Sequence, residues 1–60
     1  MNIGSRFYDE KNGVYIIIDG VGPAPGFWYC IVEEAYDGYF EALGSKLFTE
    51  TELKKFKKIW

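Results

Sequence analysis

The sequence predicts an all-β domain: four to five antiparallel strands curled into a small barrel, with one short helical turn near the C-terminus. Three observations carry this. Turn signals recur at close, fairly regular spacing, as they do in small β domains. Between them lie short segments of β-branched and aromatic residues, the types that fit a pleated, half-buried surface. The 60 residues are 48% hydrophobic, with 5 Phe, 5 Tyr and 2 Trp, and this supplies a dense core to a chain with little interior. The alternative architecture is a curled four-strand sheet covered by a true C-terminal helix.

The first strand is expected over Ser5–Tyr8, followed by Asn12-Gly13, the strongest hairpin signal in the chain because both residues accept positive φ. Val14-Tyr15-Ile16-Ile17-Ile18 is the returning strand, and Asp19-Gly20 is expected to end it. Gly22-Pro23-Ala24-Pro25-Gly26 is a loop, since proline lacks a backbone donor and the flanking glycines loosen the chain. Phe27-Trp28-Tyr29-Cys30-Ile31-Val32 is apolar on both parities, as a central strand covered on both faces would be. Asp37-Gly38 turns the chain into a strand over Tyr39–Leu43, which Gly44-Ser45 breaks or bends.

The C-terminus opens on a helix-start signature. Thr49 and Glu52 have capping-box spacing, and Phe48 and Leu53 have the spacing of a hydrophobic staple. Beyond it two periods compete: Leu53, Phe56 and Trp60 share a helical face, while Phe56, Lys58 and Trp60 share a strand face. A single turn followed by a short terminal strand is favoured, because a small barrel needs its edge closed.

This order of elements resembles short SH3-like proteins of bacteria and their phages. The likeness rests on Gly4-Ser5-Arg6-Phe7 with Gly13-Val14-Tyr15-Ile16-Ile17 in the first hairpin, and on Phe48-Thr49-Glu50-Thr51-Glu52-Leu53 before the last strand. It implies an SH3-like barrel and an accessory role, binding and modulating a host protein. The proline-peptide branch of that fold is not implied. The Ala-Leu-Tyr-Asp-Tyr stretch is absent, and Glu41 stands where a proline would follow Gly38-Tyr39-Phe40.

Composition excludes several activities. The chain has no histidine and one cysteine, Cys30. A Ser-His-Asp or Cys-His nucleophile cannot be assembled, and a structural zinc site lacks its ligands. No enzyme activity, cofactor or metal is expected. A disulfide framework is excluded, and Cys30 within its aromatic strand reads as a buried structural thiol. The N-terminus lacks an apolar leader and no run reaches membrane-spanning length, so a cytoplasmic protein without a membrane partner is expected. The carboxylate pairs Asp9/Glu10 and Glu33/Glu34, and Asp37 with Glu41, are expected at solvated turns and strand ends.

What remains is a surplus of aromatics. The interior is expected to take Ile16, Ile18, Phe27 or Trp28, Ile31, Val32, Phe40, Leu43 and Leu53. Within the aromatic strand, the Trp28–Cys30–Val32 face is the better interior candidate, which leaves Tyr29 outside. Tyr8, Tyr15, Trp28, Tyr29, Tyr36 and Tyr39 are therefore the candidate partner-binding residues, with Trp60 as an alternative to Trp28. Tyr and Trp give rigid contact area with a polar handle. The leading expectation is a non-enzymatic protein-interaction module; a homo-oligomer built on the same aromatics is a third reading. The second is a nucleic-acid accessory protein using Lys54, Lys55, Lys57 and Lys58 on phosphates. Charge argues against it: the net charge is −2, and residues 1–48 carry three cations against seven anions.

Overall fold

Asp9 sets the first turn. In the computed structural model, which describes residues 1–59, its carboxylate accepts the backbone N–H groups of Lys11 (3.1 Å) and Asn12 (3.3 Å) and the side-chain amide of Asn12 (2.7 Å). The Gly13 N–H closes the loop on the Asp9 carbonyl at 2.8 Å. The hairpin forms where Asn12-Gly13 predicts it, but not as a two-residue mirror-image turn. Four residues separate the paired Asp9 and Val14, and of Asn12 and Gly13 only Gly13 has positive φ, at 66°. The carboxylate makes the longer loop the better hydrogen-bonded solution, and it relocates β1 to Arg6–Asp9, one residue later than expected.

Four more strands follow: β2 (Val14–Val21), β3 (Phe27–Tyr36), β4 (Tyr39–Thr49) and, after a helical turn α1 (Glu50–Leu53), β5 (Lys57–Lys58). All pairings are antiparallel in one sheet of order β4-β3-β2-β1-β5. The fold is thus all-β with one short helix. β4 and β5 are its two edges, so the sheet is open and the closure of a barrel is not present among the described residues. The runner-up is corrected as well: the C-terminal helix is a single turn, and a fifth strand follows it.

Two strands run past their expected ends. Asp19-Gly20 does not terminate β2; the register shifts between Ile18 and Gly20, and pairing resumes at Gly20↔Tyr29. Gly44-Ser45 bends β4 rather than breaking it, with a shift opposite Val32/Glu33 that leaves Leu43 out of the ladder. Bulges of this kind let a long strand twist without losing its partner. The resulting β3–β4 hairpin is the longest feature of a molecule 36 × 18 × 18 Å in extent. Its outer part, residues 34–41, passes the last β2–β3 pair at Tyr15↔Glu33 and stands as a two-stranded arm.

The core lies on one face of the sheet. Phe7, Ile16, Ile18, Cys30, Phe48 and Leu53 are buried, with Trp28, Val32 and Phe56 packed against them. Trp28, Cys30 and Val32 do face inward as alternation predicts, and Tyr29 lies outside. Phe40 and Leu43 are exposed (42% and 53%) where the interior was expected to take them. They sit on the arm and the bulge of an edge strand, with no strand beyond to cover them. Phe7 and Phe48 take that place in the core.

The α1 turn plugs the open side of this core. Thr49 Oγ1 accepts the Glu52 N–H at 3.1 Å, and Glu52 Oε1 accepts the Thr49 N–H at 2.9 Å, the reciprocal capping box. These bonds draw the Glu52 carboxyl below its ordinary value. The cap aims the fully buried Leu53 into the core cluster beside Phe48, and Phe56 meets Phe48 edge-on at 5.9 Å. The total exposed area, 4107 Å², matches the roughly 4,000 Å² that a compact chain of this mass keeps.

Candidate functional site

The outer face of the sheet, opposite the core, is also apolar. Cross-strand register places Tyr8 beside Tyr15, and Ile17 beside both Arg6 and Ile31. The Tyr8 and Tyr15 rings lie 4.8 Å apart, and Tyr15 meets Phe40 edge-on at 5.2 Å. Arg6 lies over the Phe40 ring at 4.2 Å and donates to Glu33 Oε1 at 2.9 Å. Both members of this ion pair are largely covered, with side-chain exposures of 11% and 15%. Glu33 is therefore not the solvated strand-end carboxylate expected; it is the counter-ion of an Arg6 packed over the Phe40 ring. Asp9, buried in its turn, departs from that expectation too, and its hydrogen bonds to Asn12 and Lys11 hold its carboxyl below the ordinary value.

Further along the same face stand Tyr29 and its β4 neighbour Leu47, 48% and 37% exposed. Of the six expected partner-binding residues, Tyr8, Tyr15 and Tyr29 thus share this face. Ile31 and Phe40, both expected in the interior, complete it together with Ile17 and Leu47, which were not assigned to either face. Their signal was present in the sequence: β2 and β3 are apolar on both parities, which means two apolar faces. Among the described residues no helix or second sheet is layered on it.

Tyr36 and Tyr39 lie elsewhere, as the last pair before the Asp37-Gly38 turn at the tip of the arm. Their rings stack at 5.3 Å, and the Tyr36 hydroxyl donates to Glu34 at 2.8 Å, which raises its pKa. Trp28 is on the core face, and its buried indole N–H has no acceptor among the described residues. It is a packing residue first, and it does not join the tyrosine cluster.

The C-terminal lysines are divided as well. Lys54 pairs with Glu50 at 3.6 Å. Lys55 and Lys57 line a cleft of about 600 Å³ on the core side of the sheet, which Lys54 and Lys58 do not line. Its floor is Val14, Ile16, Val32, Phe48 and Phe56, and its rim adds Lys11 and Lys46 to those two lysines.

Cys30 is buried, and burial with the nearby Asp19 charge pushes its thiol up to about 11. That environment opposes thiolate chemistry. No group of His, Cys, Asp or Glu side chains that could hold a metal ion occurs among the described residues, and no helix is long and apolar enough to cross a membrane. No family model matches the chain, and neither a curated protein nor a solved structure is significantly similar to it.

Proposed function

We propose that this chain is a small, non-enzymatic protein-binding module that docks through the outer face of its sheet. The observation that supports this best is the continuous apolar ladder from Tyr8, Tyr15 and Phe40 through Ile17 and Ile31 to Tyr29 and Leu47, with its one ion pair internally neutralised. Side chains already ordered by ring contacts and by Arg6 lose little freedom on binding, which favours affinity. The tyrosines towards both ends of this patch supply area to bury and hydroxyls for the partner's polar groups.

The succession of hairpins, aromatic strand, capped turn and last strand supports reading the fold as SH3-like, with the sheet open at β4. A cytoplasmic host protein as the partner follows from that likeness. The test compares capture from source-cell lysate by the wild-type chain and by a Tyr29→Glu/Leu47→Glu variant, whose altered positions are exposed enough to leave folding intact. A protein retained by the first and lost by the second supports the reading. Recovery of the same proteins by both, at equal melting temperature, refutes it. Sedimentation of the two chains separates a foreign partner from self-association through the same face.

A further inference from the structure

The cleft on the core side has a chemistry of its own. Its lysines come from three separate parts of the chain: Lys11 from the β1–β2 turn, Lys46 from β4, and Lys55 and Lys57 from the segment after α1. None of the four makes an ion pair among the described residues, where the pairs formed are Arg6–Glu33 and Lys54–Glu50. Lys46 rests its ammonium 5.1 Å from the centre of the Phe48 ring, at the apolar floor.

Acidic groups also line the cleft: Asp9, Glu10 and Glu52. Two of them are committed. Asp9 spends its oxygens on Lys11, Asn12 and the Asn12 amide, and Glu52 holds the cap of α1. Neither can form a close ion pair with a lysine without giving up a turn or a helix start, although the charges of Lys46 and Lys55 already act on Glu52 and that of Lys11 on Asp9. The fold therefore sets four lysines and three carboxylates, two of them held in place, around an apolar floor of small-site dimensions.

We infer that this cleft receives an acidic segment of a protein partner, with one large apolar side chain on the floor between Val32, Phe48 and Phe56 and carboxylates at Lys46 and Lys55. This rests on the reading of the chain as a protein-binding module and gives it a second surface. Separated lysines interspersed in the lining with carboxylates suit a short peptide, which can place single carboxylates at Lys46 and Lys55 and keep uncharged backbone near Asp9 and Glu10. They do not suit a nucleic-acid backbone, whose continuous charge needs an uninterrupted basic track and would meet Asp9, Glu10 and Glu52. The net charge of −2 opposes such a polymer further.

The probe is a terminally capped hexapeptide, Glu-Glu-Phe-Leu-Glu-Glu, titrated into the full chain while backbone amide shifts are followed. Shifts confined to the neighbourhood of Lys46, Phe48, Lys55 and Phe56 are expected. Added salt should weaken the affinity, because the rim is exposed to screening. A Lys46→Gln/Lys55→Gln variant should bind roughly fivefold or more weakly, as the loss of two rim ion pairs implies. Lys58→Gln should bind as the wild type does. The same peptide with serine for glutamate, or with alanine for Phe-Leu, should lose binding. The Tyr29→Glu/Leu47→Glu chain should keep it, so failure here and failure of the outer-face reading are distinguishable. Shifts on the outer face at Tyr29, Ile31 or Leu47, affinity unchanged by the double lysine variant at equal melting temperature, or tighter binding of oligothymidylate at the same lysines would each overturn the assignment; Tyr8 lines the cleft as well and so is not one of these reporters.

Discussion

Leu53→Ala tests whether one turn of helix holds the core shut. The Leu53 side chain is fully buried, four positions into a turn whose cap is reciprocal. The substitution removes three carbons, worth about 2.4 kcal/mol at roughly 0.8 kcal/mol each. The space left beneath α1 adds a cavity cost, which brings the loss to about 3–4 kcal/mol. A domain of this length holds only about 3–9 kcal/mol in total. Urea denaturation followed by tryptophan fluorescence reads the change. With a slope near 1 kcal/mol/M, the low end for small proteins, the midpoint should fall by about 3 M or the fold should be lost at room temperature. Thr49→Ala removes the cap acceptor and should cost about 1 kcal/mol alone. The two sites share one turn, so the double variant should lose less than the sum. A Leu53→Ala midpoint within about 0.5 M of wild type at unchanged slope would refute the docking of α1 on the core.

The Cys30 thiol, buried and raised to about 11, should resist a disulfide-exchange reagent at pH 8 in the native chain and react at once in guanidinium; equal rates in both would contradict its burial. Asp9 is held below its ordinary value of 3.8, chiefly by Asn12, so the stability it contributes is present above pH 3.8 and is lost as pH falls through its native pKa. Asp9→Asn should flatten that acid limb of an unfolding-midpoint profile, and an unchanged limb would assign it to other groups. Tyr29→Ala should leave stability within about 1 kcal/mol, whereas Val32→Ala, packed on the core, should cost about 1–2 kcal/mol. Denaturant melts that reverse this order would exchange the two faces of β3.

Local signals carried much of this fold. The Asn12-Gly13 and Asp37-Gly38 turns, the Pro-Gly loop and the Thr49–Glu52 box are each encoded within a few residues, and each forms where the residues place it. The inward face of β3 followed from alternation together with the Tyr29 hydroxyl, which is better satisfied outside than among Cys30 and Val32. Strand length was less legible. Asp19-Gly20 and Gly44-Ser45 look like endings locally, yet in each case the ladder to β3 continues past them, which makes a bulge cheaper than a stop. Misplacing Phe40 and Leu43 has the same origin, since nothing local says that β4 is an edge or that the arm outruns β2. Tyrosines could be nominated from composition, but dividing them between the outer face and the arm tip required the register. Lys11 and Lys46 could not be grouped with Lys55 and Lys57 from their spacing; only the closure of β5 on β1 brings the C-terminal lysines back to the first turn.

The sheet order has a consequence for how the chain folds and opens. β1–β2, β2–β3 and β3–β4 are each pairings of neighbours along the chain, whose closure entropy is small. Only β1–β5 joins distant segments, Phe7 with Lys58 across about 50 residues, and it does so through two residue pairs and the Ile59 N–H to the Arg6 carbonyl at 2.8 Å. The meander can therefore zip from its hairpins while β5 docks last and undocks first. Amide exchange at Ile59 should report this partial opening well below the free energy of global unfolding, while Ile16 and Cys30 exchange only when the whole sheet opens. Each such opening releases Lys57 from its place beside Tyr8, so the cleft is assembled and taken apart by the least stable ladder in the molecule.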